Sequence, residues 1–245
     1  MIIMQTSSTF CAFLLLCLKY SVTSTTANFT ITTLWNSTLI TTHSPVQISL
    51  SSVTNRSDLI IEIDAPFFHD PAPAMTPPGP FPELWNYEVV EVFLLSSSTN
   101  HYIELEFSPH GHYIVLLLVD QRKLLKQLLP LPEYRATILS ENRWVGRAYI
   151  PRAHLPGRID RLNVFAIHGQ DENRSYEALY PAPAGSAKPD FHRLELFQPF
   201  DFDQLLDPSE KDGASWQNHA SRPIAFSIFL PILFLQVPFH RTVLF

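Results

Sequence analysis

The sequence predicts an all-β chain folded as an antiparallel β-sandwich of jelly-roll type. Three observations carry this. Apolar and polar residues alternate with period two in about ten short segments, the pattern of half-buried strands. Turn-forming residues separate most of these segments, and no convincing amphipathic helix lies between them. Proline outnumbers glycine, 21 to 7, which favours fixed turns and strand edges over long helices.

Taken in order, strands are expected at residues 29–34, 46–51 and 57–64. In the third, Leu59, Ile61 and Ile63 oppose Ile60, Glu62 and Asp64. Residues 65–82 (APFFHDPAPAMTPPGPFP) lack ladder donors at every proline, so they must cross the surface as a loop. Residues 88–95 (EVVEVFLL) read as a central strand, and 101–107 (HYIELEF) as an alternating one. That alternation sets Tyr102, Glu104 and Glu106 on one face against Ile103, Leu105 and Phe107 on the other. Further strands are expected at 112–119, 134–140, 143–150, 163–168 and 192–197. Residues 121–129 suit either a helix or a loop-edge strand. Turns are signalled at Pro109-His-Gly, Ser140-Glu-Asn, Pro156-Gly and Pro181-Ala-Pro-Ala-Gly.

The domain is expected over residues 28–206, followed by a polar linker at 207–222. Both ends differ from it: Lys19 and Arg241 are the only formal charges in residues 1–27 and 223–245. An apolar run at 10–18 followed by small residues resembles a signal peptide with cleavage after Ala27, though no positive charge precedes the run. Secretion is therefore expected, with a cytoplasmic location as the alternative if the extension is not a signal. Sequons at Asn28, Asn36, Asn55 and Asn173 mark glycosylation sites consistent with export. Residues 223–245 read as a lipid-anchor signal or as a frayed tail, and Pro231 breaks them as a spanning helix. Cys11 and Cys17 both precede the cleavage point, so no disulfide is expected in the domain. A net charge of −6 argues against nucleic acid.

Long runs of this chain resemble an uncharacterised animal protein family of unknown function, known chiefly through a human chromosome-4 open reading frame. The resemblance lies in Asp64-Ala-Pro-Phe-Phe-His-Asp-Pro, Glu83-Leu-Trp-Asn-Tyr-Glu-Val-Val-Glu-Val-Phe-Leu and Tyr102-Ile-Glu-Leu-Glu-Phe-Ser-Pro-His-Gly. It continues through Phe165-Ala-Ile-His-Gly, Ser175-Tyr-Glu-Ala-Leu-Tyr-Pro and Lys188-Pro-Asp-Phe-His. More distantly, the Val-Glu-Val-Phe and Tyr-x-Glu-x-Glu-x-x-Pro-x-Gly runs are similar to family-9 carbohydrate-binding modules. That second resemblance implies a sandwich in which aromatic clamps and polar groups hold sugars. It transfers architecture better than ligand.

No nucleophile elbow, zinc-protease helix, phosphate loop or Cys-x-x-Cys motif is present, so a non-catalytic binding module is the leading expectation. Neither a cofactor nor a metal is expected, because the spacing of His110, His112, His168 and His192 gives no convergence by itself. Glu88, Glu91, Glu104 and Glu106 form the sharpest polar set. They fit a solvated strand face paired to Arg143, Arg147 or Lys188, a polar ligand site, or the paired carboxylates of a glycoside hydrolase. Trp85, Tyr87, Tyr102, Tyr176 and Tyr180 offer flat faces for a sugar, with core packing as the alternative, for Trp85 above all. Glu177, Lys188, Asp190 and His192 are read as loop residues that form a polar rim or tie down the last strand. The candidate ligand set is thus Trp85, Tyr87, Glu91, Tyr102, Glu104, Glu106, His168, Glu177, Lys188, Asp190 and His192. The expected ligand is a glycan or another small polar molecule; a protein-interaction surface is the remaining alternative.

Overall fold

The computed structural model describes residues 25–52, 58–73, 77–206 and Trp216. The signal-type run, the Asn55 sequon, the linker apart from Trp216, and the apolar tail lie outside the described residues. The strands are β1 (Thr26–Ile31), β2 (Thr33–Leu34), β3 (Val46–Ser52), β4 (Leu59–Ala65), β5 (Gly79–Pro80), β6 (Val89–Ser96) and β7 (His101–Phe107). They continue with β8 (His112–Val119), β9 (Lys123–Lys126), β10 (Glu133–Ser140), β11 (Arg143–Ile150), β12 (Arg161–His168), β13 (Ser175–Ala178) and β14 (Gln198–Pro199). Short 3-10 turns complete the list, and no α-helix occurs among the described residues. None of these residues forms a helix long and apolar enough to cross a membrane.

Two sheets make the sandwich. One runs β1-β3-β4-β11-β10; the other runs β2-β13-β12-β6-β7-β8-β5, with β14 and β9 as side pairings. Every pairing is antiparallel except β5 with β8. The main core lies between the sheets. Ile48, Leu50, Ile61 and Ile63 meet Val90, Val92, Leu94, Ile103, Leu105 and Phe107 there. Trp144 is the largest side chain in it and is 1% exposed. Gly146 leaves the room it needs, since a Cβ there would come 2.9 Å from Trp144 Cζ3.

The larger sheet is apolar on both faces, and this decides where a site can form. Val89, Phe93, Leu95, Ile114, Leu116, Leu118, Phe165 and Ile167 point away from the main core into a second cluster. Residues 81–87 and 189–197 cover it: Leu84 and Phe197 are fully buried there, and Phe191 stacks on Phe165 at 3.9 Å.

Residues 121–129 take the loop-edge-strand alternative and not the helix: they carry β9, which pairs back on β8. Left-handed backbone at Asp120 and Arg122 makes that turn tight. Residues 192–197 form a 3-10 turn at Leu194–Leu196 in place of a strand, because Phe197 must tuck into the second cluster. The 175–178 stretch, read as loop, is β13, paired with both β12 and β2.

Gly111 turns the β7–β8 hairpin at φ 83°, where a Cβ would strike Pro78 at 2.9 Å. The proline-rich segment therefore lies directly on that turn. Its other tether is Glu88, whose carboxylate accepts from the Phe68 and Asp70 backbone N–H groups at 3.2 and 3.4 Å.

Candidate functional site: a carboxyl-floored cavity

β6 and β7 pair so that Glu91 sits opposite Glu106, Phe93 opposite Glu104 and Leu95 opposite Tyr102. All six face the second cluster, so three glutamates share one patch of sheet beneath the covering segments. They are buried, not solvated. The expectation of a solvated face paired to surface arginines fails for this set: Arg143 pairs with Asp64, and Arg147 lies 3.3 Å from Glu62. Glu62 and Asp64 belong to the other sheet.

Burial raises all three carboxyls. Glu104 rises to about 7, chiefly through loss of hydration, while Glu106 and Arg122 pull it back. Glu91 and Glu106 rise well above the usual range, first by burial and then by repulsion from neighbouring carboxyls. Glu104 Oε2 and both Glu106 oxygens have no hydrogen-bond partner among the described residues. Three buried acids with raised pKa values, two of them carrying oxygens without a partner among the described residues, are an expensive arrangement for a protein interior.

A cavity of about 370 Å³ opens over this floor. Glu91 and Glu104 reach it from the sheet. Leu116, Leu118 and Ile167 supply apolar wall, and Trp85, Tyr176 and Phe191 supply aromatic wall. Trp85, which dense apolar neighbours marked for the core, is 39% exposed instead. It rides on the Leu84–Asn86 turn, which Arg174 clamps by donating to the carbonyls of Trp85, Asn86 and Gly169.

The rim is a hydrogen-bonded chain. Tyr102 accepts from the Arg122 backbone N–H at 3.2 Å and donates to His192 Nδ1 at 2.8 Å. Arg122 donates to Asp190 at 2.7 Å, and the His192 N–H donates to the same oxygen at 3.0 Å. Burial lowers His192 to about 4, so it is neutral and turns its Nε2–H toward Glu104 Oε2, 3.8 Å away.

Of the eleven candidate residues, the structure gathers Trp85, Glu91, Glu104, Asp190 and His192 on the cavity, with Tyr102 directly behind His192. Glu106 lies in the floor beneath. Tyr87 borders a neighbouring depression with Asp70 and Asp171, and Lys188 is exposed. His168 and Glu177 are elsewhere, on the opposite face of β12 and β13, where both meet His43. Sequence reasoning missed Arg122, Phe191, Arg174 and His43. Each sits in a turn or loop whose role depends on contacts with residues far along the chain.

No family model matches the chain. The rat UPF0462 protein C4orf33 homolog is 42% identical over 199 residues, covering 79% of this chain and 94% of that protein. The chain belongs to the UPF0462 family. The human UPF0462 protein C4orf33 is 44% identical over 184 residues, 73% of this chain and 87% of its own length. The zebrafish UPF0462 homolog is 42% identical over 177 residues. Among solved structures, this UPF0462 chain is similar to a Bacteroides uniformis protein described as "a putative carbohydrate-binding protein". The TM-score is 0.52 at 12% identity, over 71% of this chain and 84% of that one. At that identity the likeness shows a shared fold alone.

Proposed function

We propose that this domain is a non-catalytic binding module for a small neutral glycan, held in the carboxyl-floored cavity. One observation carries the reading: an aromatic wall meets, in one concavity, a buried carboxyl whose Oε2 has no partner among the described residues, that of Glu104. The C–H face of a sugar ring suits Trp85 and Tyr176, while its hydroxyls can bond Glu91, Glu104, Asp190 and Arg122. Neutral carboxyls donate as well as accept, so they suit an uncharged polyol better than an anion. The fold shared with the Bacteroides uniformis protein agrees with this reading. Hydrolysis by Glu104 and Glu106 fits less well. Burial raises both acids, which works against an ionised nucleophile, and Glu106 does not reach the cavity wall.

Calorimetric titration of the full chain with a panel of neutral mono- and disaccharides tests this. Binding is expected, and Trp85→Ala should weaken it by roughly tenfold or more. Silence across the panel, or affinity indifferent to Trp85→Ala and Glu104→Gln, would sink the proposal.

The proposal extends to where the domain works: outside the cell, secreted or surface-anchored. The apolar run at 10–18 and the four sequons support this. So does the exposure of Asn28 on β1 and Asn173 in the Asp171–Asn173 turn. Expressed in animal cells, the medium should contain a product whose mass falls on enzymatic removal of N-glycans. A product that stays in the cytosol with its full sequence mass would place it there instead.

A further inference from the structure

We propose that His43, His168 and Glu177 form a site for a divalent transition metal, zinc first, separate from the sugar cavity. The three residues come from the loop before β3, the end of β12 and the middle of β13, and their donor atoms lie within 4.8 Å of one another. Both imidazoles approach the same carboxylate oxygen: His43 Nε2 is 3.0 Å and His168 Nε2 is 2.8 Å from Glu177 Oε1.

Hydrogen bonding within the protein leaves this cluster incomplete. His43 Nδ1 lies 2.9 Å from the Ser44 carbonyl, which can only accept, so Nδ1 carries the hydrogen. A neutral His43 then presents a lone pair at Nε2 to an oxygen 3.0 Å away, two acceptors facing each other. Either a second proton or a cation must lie between them. Glu177 Oε2 adds an independent sign: it is buried with no partner among the described residues, on a side chain with no exposure at all. A backbone carbonyl holding the distal ring nitrogen is how proteins fix a metal-binding histidine.

The rings are held for the task. Phe68 stacks on His168 at 3.5 Å and 3° between planes, and His43 stands edge-on to both rings. Bonds of ~2.1 Å to a tetrahedral zinc require donor separations of roughly 3.4 Å. The two contacts at the Glu177 oxygen fall slightly inside that, so a small outward shift admits the ion. Two imidazoles and one carboxylate favour zinc among biological divalent ions and leave a fourth position for water. Residual exposure of the two histidine side chains, 15% and 13%, gives that position a route to solvent.

The full chain, stripped with chelator, should bind one equivalent of Zn²⁺ by calorimetry. Cobalt(II) in its place should give visible absorption bands of a four- or five-coordinate ion. His43→Ala and Glu177→Gln should each weaken zinc by at least about tenfold, whereas Trp85→Ala at the cavity should leave it unchanged. Should either variant fold poorly, nitrogen NMR of the unaltered chain decides, since zinc should displace the Nε2 resonances of His43 and His168. A chain that takes no zinc at millimolar concentration, or whose His43 and His168 Nε2 signals ignore the added ion, overturns the proposal. A stable imidazolium–carboxylate cluster would then explain the contacts.

Discussion

Raising the pH from 5 to 8 should destabilise this domain, against the usual trend for an acidic protein with surface ion pairs. Glu88 and Glu104 are pushed from 4.5 to about 7, mainly by burial, and burial likewise raises Glu91 and Glu106 well above the usual carboxyl range. Below 4.5 these groups carry protons in both the folded and unfolded states, so they favour neither. Between 4.5 and about 7 the unfolded chain loses those protons while the folded chain keeps them, and stability falls as pH climbs. For Glu104 alone the loss across that window is on the order of 3 kcal/mol, taking about 1.4 kcal/mol per pH unit. His192 and His110 act oppositely. Their lowered values mean that acidification below 6.5 protonates the unfolded state first, which costs stability toward pH 4. Above 6.5 the histidines are neutral in both states and the carboxyls act alone. Urea midpoints should therefore fall between pH 5 and pH 8, and Glu104→Gln should flatten part of that fall. Midpoints that hold level or rise over that range would mean that water or cations compensate these acids.

Trp144→Ala should cost about 3–5 kcal/mol, the largest loss expected from a single truncation in the main core. Trp144 spans from β11 toward the facing sheet, and Gly146 beside it has already given up its side chain to make room. Gly146, without a side chain, cannot refill the space. Against a total stability of roughly 5–15 kcal/mol, the variant should unfold at much lower urea or fail to accumulate. A loss below about 1 kcal/mol would show that the two sheets are not locked together at this point.

Much of the architecture was legible in the chain. β7, β8 and β11 occupy the predicted spans, and the mostly apolar β6 is buried along its whole length, Glu91 included. Period two identifies faces but not what covers them. Tyr102, Glu104 and Glu106 were correctly placed together, yet whether water or protein lay over them depended on Phe191 and Phe197, almost ninety residues later. Trp85 misled for the reciprocal reason: apolar neighbours suggested the interior, while Arg174 holds its turn at the cavity mouth. β13 escaped because four residues, one of them a glutamate, give too little alternation to count. His43, His168 and Glu177 span 134 positions along the chain, and nothing in their spacing draws them together.

Strand β7 stitches greasy interior and acidic floor into a single ribbon, and that doubles the penalty for misalignment. Sliding it one place against β6 would thrust two glutamates between the sheets and swing Ile103, Leu105 and Phe107 onto the floor. The same acids that weaken the finished fold would thus act as a ratchet during its assembly, rejecting every neighbouring register and leaving one alignment that the chain can close upon.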